Sequence, residues 1–163
     1  MAAGLVFLMQ AGFLLLEAGL VRSKNSINVA QKNIADFVIA CAVFGAFGFM
    51  LMFGTSWGGW FGLDASLFMF NEVPDWTFTF FVFQVVFCGT AATIVSGGMA
   101  ERMKFSGYLI TTVFIAALVY PVFGHWAWGN LLVGDNEPFL ATQGFIDFTG
   151  STPTSATRGS RRC

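Results

Sequence analysis

Charge is what this chain has least of: Asp, Glu, Lys and Arg together supply 10% of its 163 residues, against about a quarter in a soluble globular domain. That shortage excludes a fold with a solvated charged surface. With 56% hydrophobic residues and a mean hydropathy of +0.70, the chain reads instead as a multi-pass membrane protein. A net charge of -1 with scattered basic residues excludes nucleic acid as a partner. Cysteine is scarce too. Cys41 and Cys88 sit in apolar stretches and Cys163 is the last residue, so no disulfide framework is expected. Met1-Ala2-Ala3-Gly4 lacks a basic n-region, and the apolar run that follows reaches Glu17 without a cleavage site, so no secretory signal is expected.

What the chain does have is long uncharged runs. The longest-marked one, Phe83 to Phe105, ends abruptly at Glu101-Arg102-Met103-Lys104, and nothing before Glu101 is charged back to Asp75. This exceeds the roughly 20 apolar residues that cross a bilayer core. Three further spans follow from the same criterion: Met1 to Val21, which contains Glu17; Phe37 to Leu63, preceded by polar Asn25 to Asn33; and Phe105 to Gly134, with Pro121 predicting a tolerated kink. Ile146-Asp147-Phe148 reads as the start of a fifth element. Thr90, Ser96, Gly97 and Gly98 are small residues that allow close helix approach. Arg22 and Lys24 separate spans one and two, and Arg102 and Lys104 separate three and four, whereas Asp64, Glu72, Asp75, Asp135 and Glu137 lie in loops without Lys or Arg. The basic loops are therefore expected on the cytoplasmic side, and the N terminus outside. The polar, basic stretch 153–163 breaks the pattern and reads as a truncated or frame-shifted end.

Several segments carry a family resemblance. Ala11-Gly12-Phe13, Leu16-Glu17-Ala18-Gly19-Leu20-Val21-Arg22-Ser23-Lys24-Asn25, Phe83-Gln84, Ala100-Glu101-Arg102-Met103-Lys104-Phe105-Ser106, Tyr120-Pro121, His125-Trp126-Ala127-Trp128-Gly129 and Asp147-Phe148-Thr149-Gly150-Ser151 follow one another in an order and spacing that resembles the ammonium transporter (Amt/Mep/Rh) family. The resemblance implies an all-α, multi-pass transmembrane helical bundle. Residues 1–152 would form the first half of an eleven-helix domain built of two inverted halves. It also implies a channel or transporter in the cell membrane, not an enzyme, with no cofactor or metal. Its implied partners are ammonium or ammonia, the lipid bilayer, two further copies in a homotrimer, and a P-II type regulatory protein on the cytoplasmic face.

By the same resemblance Phe83, Trp128 and Asp147 form an external ammonium site and Phe87 a pore gate. The physics suits the assignment, since an ammonium ion over Phe and Trp faces gains about 0.5 to 2 kcal/mol as it loses water. Neutral ammonia pays far less than the ion to cross an apolar channel. A plainer reading is that a Phe-rich chain holds chance aromatic pairs, and that Asp147 is a helix cap. The lone His125 invites a proton-transfer role, but the resemblance puts the first pore histidine at the position of Ser155, leaving His125 to packing or a hydrogen bond. Lys32 and Asp36 are one turn apart and are expected to pair, while Glu17 is expected to snorkel or cap a neighbour. Two alternatives stand beside transport: an ammonium-sensing receptor domain coupled to a signalling module, and a fragment with no activity of its own.

Overall fold

The computed structural model describes residues 2–70, 73–99, 102–132, 134, 136–145 and 147. Four helices long and apolar enough to cross a membrane account for most of them: Ala2–Leu20, Ser23–Phe53, Asp75–Met99 and Phe105–Trp128, here the first to fourth spans. The second span lies centrally, packing on the other three, while the first and third also pack on each other. The core is built from Ala40, Phe44, Phe49, Met52 and Phe53 of the second span, Val85, Val86, Cys88, Ala91 and Ala92 of the third, and Ile115, Ala116 and Tyr120 of the fourth. The sequence-predicted tail 153–163, Ser155, Glu72 and Asp135 lie outside the described residues, as do Ile146 and Phe148 of the expected fifth element.

The second span corrects the sequence reading at both ends. It starts at Ser23 rather than Phe37, because the polar segment Asn25 to Asn33 is helical and turns Val29, Lys32 and Asn33 into the bundle. It stops at Phe53, where Gly54 leaves the helix with ψ 172°. The residues up to Leu63 form a tight antiparallel hairpin, β1 (Ser56–Trp57) paired with β2 (Phe61–Gly62), turning through Gly58 and Gly59 at positive φ. The fourth span closes at Trp128 rather than Gly134.

Pro121 leaves the fourth span continuous. A wide π turn, Ile115–Val119, precedes it and the helix resumes from Tyr120. Removing one backbone N–H is the usual reason for such a local change of ladder. The second span carries its own π turn at Phe44–Gly48, and the two π turns pack together. Gly48 is a point of close approach: a Cβ there would stand 2.8 Å from the Ala116 carbonyl oxygen and 3.0 Å from Pro121 Cγ. The helices touch at this depth because position 48 has no side chain.

Candidate functional site

The end of the bundle bearing the hairpin is knitted by two buried polar side chains. Helices leave their last carbonyls unpaired, and Met52 near the end of the second span is such a case. His125 of the fourth span is fully buried and its Nδ1 donates to the Met52 carbonyl at 2.8 Å, which leaves Nε2 to accept from Ser56 Oγ at 3.1 Å. Asn136 accepts from the Ser56 amide at 2.8 Å and donates to the carbonyls of Gly54 and Gly129, each at 2.9 Å. Gly129 has to be glycine, since a Cβ would come within 2.7 Å of His125 Nδ1. The sole histidine is thus a hydrogen-bonded packing residue, as its place in the His-Trp-Ala-Trp-Gly segment implied. Asn136 was not singled out from sequence, where it is one polar loop residue among several.

On this scaffold the four sequence-predicted site residues fall into two pairs. Phe83 and Phe87, one turn apart on the third span, meet edge to face with ring centroids 5.0 Å apart. Both are half-buried, and Phe87 packs on the core. Phe83 lies about 12 Å and Phe87 about 18 Å along the helix from Asp75, at 1.5 Å per residue, so Phe83 is the nearer of the two to the hairpin end. Trp128, also packed on the core, closes the fourth span, and its Nε1 donates to the Asp147 carbonyl at 2.9 Å. The indole is therefore fixed by the backbone of the residue that the sequence reading paired with it. Among the described residues no ring contact joins Trp128 to Phe83 or Phe87. Gln84, next to Phe83, is buried with its Oε1 unpaired among those residues. A groove of about 710 Å³ lies elsewhere, over the hairpin, lined by Thr55, Ser56, Gly59, Glu137 and Phe139 among others.

The sequence profile of the Ammonium Transporter Family matches residues 1–157. The chain belongs to this family. A Synechocystis relative named for ammonium transport is 53% identical over 156 residues, covering 93% of this chain and 29% of its own length. Ammonium transporter Amt2 of Archaeoglobus fulgidus is 42% identical over 158 residues, covering 95% of this chain and 34% of its own. A solved structure titled Sensor Amt Protein superposes with a TM-score of 0.90 at 47% identity, covering 94% of this chain and 38% of that one. The chain thus spans about a third of the length of the curated relatives it matches. Family membership and four spans make it an integral membrane protein with an all-α bundle fold, as the resemblance implied.

At the opposite end of the bundle the charged residues behave differently from expectation. Lys32 and Asp36 do not pair: Lys32 Nζ donates to the Met103 carbonyl at 3.2 Å and lies 5.9 Å from the centre of the Tyr108 ring, while Asp36 accepts from Thr112 Oγ1. The reason is the fourth span and the turn before it, which supply each with a partner that the second span's own spacing could not reveal. Glu17 does not snorkel either. It is buried, and one carboxylate oxygen accepts from Asn33 Nδ2 and from Ser96 Oγ, both at 3.1 Å.

Proposed function

We propose that this chain is part of an ammonium channel or transporter of the cell membrane, oriented with its N terminus outside, and that the pairs Phe83–Phe87 and Trp128–Asp147 belong to its external recruitment site and gate. The observation that carries this reading is the fixed indole. A cation–π contact discriminates a cation only if the ring face cannot turn away, and the Trp128 to Asp147 hydrogen bond at 2.9 Å supports such a rigid face. Phe83 lies nearer the hairpin end than Phe87, an order that suits recognition before passage. Dehydrating ammonium costs more than aromatic faces return, so deprotonation and passage of ammonia along an apolar path fit the lining better than passage of the ion. In this reading the complete protein is a homotrimer, with a P-II type regulatory protein on its cytoplasmic face.

The test is uptake of labelled methylammonium by cells expressing the full-length parent protein. Trp128→Leu removes the indole, and loss of about 1 to 2 kcal/mol of cation–π attraction should raise the half-saturating concentration roughly fivefold to thirtyfold, with membrane insertion unchanged. Unaltered concentration dependence for both Trp128→Leu and Phe83→Leu removes the assignment.

The structural likeness to a protein titled Sensor Amt Protein favours a second reading, an ammonium-sensing domain. Deleting the parent gene separates the two: a transporter's loss abolishes methylammonium uptake, whereas a sensor's loss leaves uptake intact and abolishes an ammonium-dependent response.

A further inference from the structure

Away from the aromatic residues, the end of the bundle near Arg22 and Lys24 holds a continuous set of buried polar groups contributed by all four spans. Gln10 of the first span donates to Thr93 Oγ1 of the third at 2.5 Å. Asp36 of the second span is fully buried and accepts from Thr112 of the fourth through one oxygen. Its other oxygen, Oδ2, has no partner among the described residues, nor has the hydroxyl of Tyr108, which is 2% exposed. That hydroxyl is in electrostatic reach of both Asp36 and Ser96. Ser96 in turn donates to Glu17 at 3.1 Å, and Glu17 fits there because a Cβ on Gly97 would stand 3.1 Å from its Oε1. Two acidic side chains thus flank two hydroxyls, one hydrogen-bonded to Glu17 and the other, Tyr108, unpaired beside the unpaired oxygen of Asp36.

We propose that Asp36, Tyr108, Ser96 and Glu17 form a proton relay within the membrane, distinct from the aromatic site and independent of the reading given to it. The step moves one proton. The Asp36 carboxyl gives its proton to Tyr108 Oη while Tyr108 passes its own to Ser96 Oγ and Ser96 passes its own to the Glu17 carboxylate. The O–H bond on Asp36 breaks, one forms on Glu17, and both hydroxyls end as they began. Tyr108 Oη makes no hydrogen bond to either neighbour among the described residues, so the transfer requires a small swing of its ring or one water in each gap. Depth gives the relay a direction. Asp36 lies about 15 Å along the second span from Ser26, whereas Glu17 is about 5 Å from the end of the first span at Leu20, at 1.5 Å per residue. A proton held in mid-bilayer on Asp36 therefore reaches a carboxyl close to the basic loops. Intramembrane carboxyls without a countercharge are costly and are kept where they handle protons or ions.

The other titratable groups around Asp36 are Glu17 from the first span, Cys88 from the third, Tyr108 from the fourth, and Cys41 and Lys32 on its own helix. Lys32 turns its ammonium to the Met103 carbonyl and leaves the carboxyl uncompensated.

The experiment is infrared difference spectroscopy after a pH jump on the full chain in lipid nanodiscs, read in the protonated-carboxyl stretching region with sodium as the only added cation. Asp36→Asn and Glu17→Gln should each remove one band and shift the other. Tyr108→Phe and Ser96→Ala should keep both bands and the helical circular dichroism but slow proton exchange between them by roughly 100-fold, the lower range for a positioned proton-transfer group. Bands that respond independently of one another, or an exchange rate unchanged in both Tyr108→Phe and Ser96→Ala, overturn the relay. Bands that follow sodium or added ammonium concentration rather than pH also overturn it and make the cluster a cation site.

Discussion

A carbonyl in the last turn of a membrane helix has no partner in its own helix and no water to turn to, so the side chain that reaches it is a structural necessity. His125 does this for Met52, and its assignment fixes the tautomer: Nδ1 must carry the proton because the carbonyl can only accept, and the neutral ring then takes the Ser56 hydroxyl on Nε2. A ring committed on both nitrogens is a poor proton carrier. His125→Ala should therefore lower stability by about 1 to 3 kcal/mol, the cost of leaving a buried acceptor unpaired, with a further loss from the cavity. The measurement is thermal unfolding in detergent followed by circular dichroism. In the transport role proposed for the full-length parent, the pH profile of methylammonium uptake should keep its shape in any variant that inserts, and a displaced profile would show that His125 takes part in proton transfer after all.

Between elements, the decisive contact is the meeting of two π turns, Phe44–Gly48 and Ile115–Val119. Gly48→Ala places a methyl group against the Ala116 carbonyl and the Pro121 ring, backbone and a rigid ring that cannot yield cheaply, and overpacking of this kind costs about 1 to 3 kcal/mol. Gly12→Ala is the control: a Cβ there meets nothing within 4 Å, so the same change in an open helical position should stabilise by about 0.5 to 1 kcal/mol. Unfolding midpoints should move in opposite directions, and a shared direction would show that Gly48 does not set the spacing of the second and fourth spans. Neither π turn was legible in the sequence. The number of spans was, because uncharged runs bounded by Arg102 and Lys104 or by Asp64 need only a count. Which polar residues face inward was not, because Lys32 and Asp36 obey a helical spacing that suits pairing, and only the packed fourth span and the turn before it offer Met103, Tyr108 and Thr112 instead. Phe83 and Phe87 were legible as a pair from spacing alone, whereas the hold of Asp147 on Trp128 runs through a backbone carbonyl that no side-chain pattern encodes.

For the whole molecule, the hydrogen bonds sort the loops into two ends. The bond from Lys32 to Met103 puts the turn between the third and fourth spans beside the start of the second, so Arg22, Lys24, Arg102 and Lys104 share one end. Asn136 bridges Gly54, Ser56 and Gly129, so Asp64 and Glu137 belong to loops at the other end. Short loops rich in Lys and Arg are retained on the cytoplasmic side, so we predict the hairpin and both acidic loops on the outside. In a background with Cys41, Cys88 and Cys163 replaced by serine or alanine, Ser66→Cys in the exposed loop after the hairpin should react with an impermeant maleimide on intact cells. Ser23→Cys, exposed at the start of the second span, should react only after the membrane is opened. Labelling of Ser23→Cys from outside with Ser66→Cys protected would invert the bundle and place Phe83 and Trp128 at the cytoplasmic end, where an external recruitment site could not operate.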